Sequence, residues 1–536
     1  MKPYTELNLG FSDAVNYKQR PNKELFNKFF IESPILDEIV KTSKYFLIGD
    51  KGTGKTAYAV YLSNNNTRNT ISNLNYIYET EYSKFITLKN SNNLILSDYT
   101  SIWKVLLLLL FSMQIEKGEN GLSQIINYSK YNALKEAVRS FYNNAFAPEI
   151  HNCLTFVENS EAAIKVIGTH LGTELNKSKT SNQSNTNFQL NLMTLEKLFK
   201  DSLSSLKLSC NHILFVDGID IRPRNIQFED YLECVKGLAN AVWQLNNDFF
   251  ANIRDSHGRM KVVLLVRPDI FAQLGLQNLN NKVRDNSVLL DWHTIYPQYR
   301  SSLIFQLADR MLNVQQDEKY PEGECWDNYF PFKNKDQEGN EHDSFVSFLR
   351  FSTFRPREII TLMSILQEYA KKNTRSVISK EDFNNPEIRS RYSDYLLGEI
   401  KNYLEFYHTE KEYELFLKFF EYLNGKAFFT YDEYMTAYDE YADYIESYWD
   451  TDNLPEQFSS SSKFLQFLYD LNVICYISQT ETKNNHYHWA YRDKSYSDVY
   501  PKVQENQVYK IHYGLQKAFD TGIRLIKRRQ IKKKKE

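Results

Sequence analysis

The chain has 536 residues, 42% of them hydrophobic and 25% charged, enough apolar material for two to four domains. Lys and Arg number 65 against 67 Asp and Glu, a net charge of -2, which excludes a global basic field for nucleic acid. Cys153, Cys210, Cys234, Cys325 and Cys475 are scattered with no CxxC pair, which gives no zinc site and fits a reducing, cytoplasmic compartment. The start, Met1-Lys2-Pro3-Tyr4, lacks the apolar core of a signal peptide. The most apolar run, residues 105–111, falls far short of the ~20 residues that span a bilayer. No membrane partner is expected.

In chain order, residues 24–40 read as one helix, with Leu25, Phe26, Phe29 and Phe30 apolar. Tyr45-Phe46-Leu47-Ile48 is a strand-type run. The next eight residues, Gly49-Asp50-Lys51-Gly52-Thr53-Gly54-Lys55-Thr56, match G-x-x-x-x-G-K-[ST], and a helix is expected from Ala57. Strand, Gly-rich turn and helix aim backbone N–H groups at an anion. ATP is the expected ligand, held by residues 49–57. Lys55 is expected at the β- and γ-phosphates and Thr56 on Mg²⁺. Residues 84–88 are predicted as a strand and 101–113 as a buried helix. The region near 90–207 reads as a helical insertion. Within it residues 176–187 form a polar loop, and an amphipathic helix resumes at 190–206.

His212-Ile213-Leu214-Phe215-Val216-Asp217 is a buried strand ending in an acid, where such a site places a Mg²⁺-holding Asp. Gly218 follows, where fast ATPases place Glu. Asp220 is then the nearest candidate base, the alternative being a surface turn residue. After a helix at 231–245, residues 261–266 form another buried strand, ending at Arg267-Pro268-Asp269. Arg267 could sense the γ-phosphate; a loop salt bridge with Asp269 is the competing reading. Strands that alternate with helices as apolar runs predict a parallel α/β sheet with helices on both faces. The Gly-rich loop, Asp217 and Arg267 all follow strand ends, the side where such sheets bind ligands.

Arg284 and Arg300 are candidates for an arginine finger acting between subunits. Helices are predicted at 299–312 and at 345–370, the second interrupted at 354–358. Arg355 and Arg357 flank Pro356 there, either as lid cations that meet phosphate or as a solvated turn. Ser379-Lys380-Glu381-Asp382 resembles a capping box. After a helix at 392–406, three helices at 416–423, 431–448 and 463–471, then a hairpin of 473–477 with 486–491, suggest a winged helix. Its third helix offers Lys463 alone, and the preceding one is acidic (Asp432, Glu433, Asp439, Glu440, Asp443), so a protein-contact role is favoured over DNA reading. The basic end, residues 524–536, could hold a nucleic-acid backbone nonspecifically or be a solvated terminus.

Together Gly49 to Thr56, Val216-Asp217-Gly218-Ile219-Asp220, Arg267-Pro268-Asp269 and Arg355-Pro356-Arg357 resemble bacterial FunZ-like P-loop ATPases, relatives of the AAA+ and STAND groups. That resemblance implies Mg²⁺ on Asp217, Arg267 at a sensor-1 strand and Arg357 at a sensor-2 position. It also implies a lid, a C-terminal winged helix and service in phage or mobile-element defence. Gly218 departs from the AAA+ pattern and resembles the hhhDGhD form of STAND ATPases, against fast, motor-type hydrolysis. The expected layout is an ATPase domain over 1–300, a helical lid over 301–400, a winged-helix-like domain over 401–520 and a basic tail over 521–536. The expected function is a slow ATPase switch that self-associates or regulates a separate effector. A DNA-binding ATPase and an ATP-binding scaffold without turnover are the alternatives.

Overall fold

The computed structural model describes residues 1–92, 96–118, 128–142, 149–171, 184–275, 279–335, 339–449, 454–479, 485–494 and 501–522. The chain divides into two compact units, one of Asp13–Asp291 and one that joins Met1–Ser12 to Trp292–Glu536.

The first unit runs α1 (Lys23–Phe29), α2 (Pro34–Val40), β1 (Phe46–Ile48), α3 (Lys55–Asn64), β2 (Thr70–Tyr76), α4 (Glu79–Asn92) and α5 (Leu96–Gly118). It continues with α6 (Tyr128–Phe141), α7 (Ile150–Glu158), α8 (Ser160–Leu171), α9 (Ser184–Ser204), β3 (Asn211–Asp217) and α10 (Phe228–Gln244). β4 (Met260–Val266), α11 (Pro268–Gln273), α12 (Leu279–Asn286) and β5 (Ser287–Leu289) complete it. The five strands form one sheet in the order β2-β3-β4-β1-β5, every pair parallel. Leu47, Ile213, Phe215, Val263 and Leu265 point to the face covered by α1, α2 and α3. The alternate residues point the other way, where Phe46 packs on Phe271 of α11 and Asn246 is hydrogen-bonded to Val262. Helices on both faces explain why these strands read as unbroken apolar runs.

Two sequence expectations are corrected here. Residues 84–88 are not a strand but lie inside α4, with Tyr82, Phe85 and Leu88 buried at a spacing of three, the repeat of one helix face. The strand in that part of the sheet is β2, whose Thr, Ser and Asn residues hide it at the sheet edge. The single helix expected over 24–40 is broken, because Pro34 cannot continue α1 and instead opens α2. The 176–187 loop lies mostly outside the described residues.

The second unit comprises α13 (Leu303–Asn313), α14 (Glu324–Tyr329), β6 (Lys333–Lys335), β7 (Glu341–Asp343), α15 (Ser344–Phe351), α16 (Pro356–Lys372), α17 (Lys380–Phe383) and α18 (Pro386–Tyr407). α19 (Glu410–Tyr422), β8 (Phe428–Thr430), α20 (Tyr431–Tyr448), α21 (Ser461–Asp470), β9 (Ile474–Gln479), β10 (Asn485–His488), α22 (Ala490–Asp493) and β11 (Val508–Ile511) follow. The expected capping box at Ser379 and Asp382 is present. The expected hairpin is β9–β10, but it belongs to a larger antiparallel sheet, β10-β9-β11-β8. The first residues of the chain sit in this unit and not with the sheet of the other, where the 1–300 layout had them. Tyr4 is fully buried against Tyr329 and Phe330, its hydroxyl donates to Met363 O at 2.7 Å, and Gln367 Nε2 donates to the carbonyls of Tyr4 and Leu7. Of the basic tail expected over 521–536, residues 523–536 lie outside the described residues. Among the described residues no helix is long and apolar enough to cross a membrane.

Lys261, buried in β4, donates to the carbonyls of Ile39 and Lys41 at the C-terminal end of α2. Burial pushes its amine down to about 7, against ~10.4 for a free lysine. Between those values the unfolded chain holds a proton that the folded chain has released. Stability is therefore expected to rise with pH across that window, by roughly 1.4 kcal/mol per unit from this group. Urea unfolding at several alkaline pH values should show a shallower rise for Lys261→Met; an unchanged slope would assign the dependence to other groups.

Candidate functional site

Parallel register brings three strand ends to one edge. Ile48 of β1 pairs with Val266 of β4, and Val216 of β3 pairs with Leu264 of β4. Hence the loop after Ile48, the acid Asp217 and Arg267 emerge side by side, as the sequence expectation required. β1 connects outward to β2 at one edge of the sheet, whereas its neighbour β4 connects to β5 at the other. Adjacent strands whose connections diverge leave a crevice between their carboxyl ends.

The loop from Gly49 to Gly54 has a conformation that its glycines permit. Gly52 and Gly54 have φ of 87° and 91°. A Cβ on Gly49 would fall 2.4 Å from Thr53 Oγ1. Gly54 caps α3 with no side-chain bond, so the first-turn N–H groups of that helix keep their donors pointing out of its end. Thr53 Oγ1 donates to Asp50 O at 2.7 Å. Lys55 is buried, and its ammonium donates to Gly49 O at 2.7 Å and Asp50 O at 3.2 Å, so it folds back across the loop. Burial lowers its pKa, and the carboxylates of Asp220 and Asp217 work against that.

Thr56 Oγ1 donates to Asp217 Oδ2 at 2.6 Å across 161 residues of sequence, and Gly218 N donates to Asp217 Oδ1 at 2.8 Å. Burial and the nearby Asp220 carboxylate raise Asp217 to about 6, against the hydrogen bond from Thr56 and the charge of Lys55. Asp220 is half-buried, and its charge reaches both Asp217 and Lys55. Gly49, Asp50, Lys51, Gly52, Thr53, Gly54, Lys55, Thr56, Ala57, Asp217 and Asp220 thus belong to one edge of one unit.

Arg267 is also at this edge, and its charge bears on Lys55. Its guanidinium makes a buried two-pronged pair with Asp269, Nε to Oδ1 at 3.0 Å and Nη2 to Oδ2. That salt bridge is the competing reading of this position. Arg284 carries a side chain 77% exposed and pairs with Asp285. Arg300, Arg355 and Arg357 belong to the other unit. Arg300 pairs with Asp327 at 2.8 Å, Arg355 lies 3.7 Å from Glu358, and Arg357 donates to Ser12 O at 3.1 Å and lies 4.0 Å from Glu399.

Two residues at the edge were not singled out from the sequence. Tyr76, last in β2, is the register partner of Asp217, and its buried hydroxyl has no hydrogen-bond partner among the described residues. Burial and the Asp217 charge raise its pKa. Ile77 follows, and its N–H donates to Asp217 O at 2.9 Å. Both were hidden because β2 gives no apolar signal. Ile77 also explains Gly218: with φ at 94°, a Cβ there would lie 2.4 Å from Ile77 O. A comparison with protein families, curated proteins and solved structures finds no match for this chain.

Gly218→Glu, which writes in the acid of fast ATPases, is therefore expected to cost ~1–3 kcal/mol of stability. Scanning calorimetry should show a lowered Tm. An unshifted Tm would mean that the Ile77 backbone yields without cost.

Proposed function

We propose that the chain is a P-loop ATPase that binds and hydrolyses ATP slowly and acts as a nucleotide-dependent switch on a partner. The observation that carries this reading is the 2.6 Å hydrogen bond from Thr56 to Asp217, beside buried Lys55 at the mouth of α3. The hydroxyl and carboxylate form the pair that would flank Mg²⁺. Among the described residues no group of three His, Cys, Asp or Glu could hold a metal. That donor set fits Mg²⁺, which takes one or two protein oxygens and fills its other positions with phosphate and water. Bound Mg²⁺ would neutralise charge on the β- and γ-phosphates.

The chain's own groups have distinct tasks. Loop amides and the α3 terminus cradle phosphate oxygens. Lys55 exchanges the Gly49 and Asp50 carbonyls for phosphate oxygen. Asp220, close enough to Lys55 and Asp217 to shift both, is the candidate to take the proton of the attacking water. The Arg267–Asp269 pair must loosen before Arg267 can meet a γ-phosphate, which favours a slow, gated step. On this reading the chain is a relative of the bacterial FunZ-like, AAA+ and STAND ATPases. Its second unit is then a lid followed by a winged-helix-like region for protein contacts, with self-association or a separate effector as partner. The acidic α20 favours that over a DNA-reading ATPase.

Lys55→Ala is expected to abolish ATP binding in isothermal titration calorimetry; tight binding retained by the variant rules out the site. Asp220→Asn is expected to keep ATP affinity and lose ~10²–10⁴-fold in kcat. Equal turnover in both proteins would move the base elsewhere. No turnover in either, with ATP bound, would leave a scaffold.

A further inference from the structure

The sheet β10-β9-β11-β8 has two unlike faces. Phe429, Tyr509, Tyr476, Ile474 and Ile511 join the hydrophobic core of their unit. On the opposite face, register lines up Phe428 of β8, Lys510 of β11 and Cys475 of β9. Lys510 sits in mid-sheet and is fully buried. Its Nζ faces the rings of Tyr513 at 3.5 Å, Phe428 at 4.5 Å and Tyr487 at 5.3 Å, and it has no hydrogen-bond partner among the described residues.

A second cation shares this setting. The Arg492 guanidinium, from α22, lies over Tyr296, Phe354 and Tyr491, and its Nη2 donates to Tyr296 OH at 2.8 Å. Its Nε is buried with no partner among the described residues. Arg350 lies over the same Tyr296 ring at 5.3 Å, and its charge reaches Lys510. The charges of Arg492 and Lys510 both bear on Cys475 and on buried His512, which burial holds down at about 3. Burial lowers Lys510 to about 7, with Arg350 adding to that effect.

Cation–π contact offsets part of the cost of burying these charges. It does not satisfy an N–H, and an orphaned buried donor costs ~1–3 kcal/mol. Two such donors in one cationic, aromatic setting call for an acceptor. Two or three clustered positive charges suit a doubly charged oxyanion better than a carboxylate, and Arg offers planar donors to such oxygens. The side chains of Tyr296, Tyr487 and Tyr513 are half-buried and border solvent.

We propose that this face of the sheet binds a phosphoryl group, with Lys510, Arg492 and Arg350 as its cationic ligands and Tyr296, Tyr487 and Tyr513 around them. The site belongs to a different unit from the Gly49–Thr56 loop and does not rest on the ATPase reading. Free phosphate and the phosphate of a nucleotide share this chemistry, and the test distinguishes the two.

The full-length Lys55→Ala chain removes the Gly-rich loop from the measurement. Its melting temperature is expected to rise by ~2 °C or more in millimolar phosphate over sodium chloride of equal ionic strength. A shift with adenosine monophosphate alone would assign a nucleotide phosphate. Adding Lys510→Met should abolish the shift and leave the ligand-free protein as stable or more so, because a buried unpaired charge is gone. Arg492→Gln should also lose the shift, and it carries the comparison if Lys510→Met does not fold. Calorimetric titration of phosphate into the Lys55→Ala chain reads binding with neither variant. Identical melting in phosphate, adenosine monophosphate and chloride, or a full ligand shift in Lys510→Met, overturns the proposal.

Discussion

Everything at the candidate site depends on the pairing of a strand only three residues long. Phe46, Leu47 and Ile48 are each bonded in parallel to β4 on one side and β5 on the other. That double pairing sets where the chain leaves the sheet. It puts Gly49 N on Val266 O and brings Thr56 within reach of Asp217. A slip of one residue would exchange the faces of Phe46 and Leu47, one packed on Phe271 and the other in the core beneath α3. The apolar requirement on both faces and the polar geometry at the edge are therefore one constraint.

The same pairing limits the chemistry. β2 lies against β3 so that Ile77 takes the Asp217 carbonyl and its own carbonyl occupies the space beside residue 218. Glycine there is a condition of the sheet, and the next acidic residue along the chain is Asp220. Three buried lysines show how differently a fold can hold an ammonium. Lys55 and Lys261 donate to backbone carbonyls, Lys55 with two carboxylates close by. Lys510 has aromatic faces only. Lys55 thus has both carbonyl acceptors and nearby counter-charges, Lys261 has carbonyl acceptors, and Lys510 has no hydrogen-bond acceptor among the described residues.

Much of the first unit was legible because its central strands are buried on both faces. β1, β3 and β4 announce themselves as apolar runs, and the Gly-x-x-x-x-Gly-Lys-Thr spacing lies between the first of them and a helix. β2 was not legible: its Thr, Ser and Asn residues satisfy an edge strand but carry no hydrophobic period. The window at 84–88 misled because five residues cannot separate a repeat of two from one of three to four. In the second unit the helices from α18 to α21 were read from their spacing, yet β8 and β11 were missed. Each has only three or four residues, and Lys510 interrupts the buried run of β11 between Tyr509 and Ile511. The pairing of Arg267 with Asp269 was foreseen only as one of two readings, since spacing cannot say whether neighbouring opposite charges face each other.

The placement of the first twelve residues orders the way this protein is made. Tyr4 is translated more than three hundred residues before the partners of its hydroxyl, Met363, and of its ring, Tyr329 and Phe330. All the partners of the sheet unit, residues 13–291, emerge before any of these do. That unit can close during synthesis, while the opening segment stays without its core for more than three hundred residues of elongation. Until that later unit is translated, a nascent chain holds Tyr4, Leu7 and Leu9 outside the core that buries them. The interval vulnerable to aggregation or chaperone capture therefore belongs to residues 1–12 and ends only when the later unit claims them.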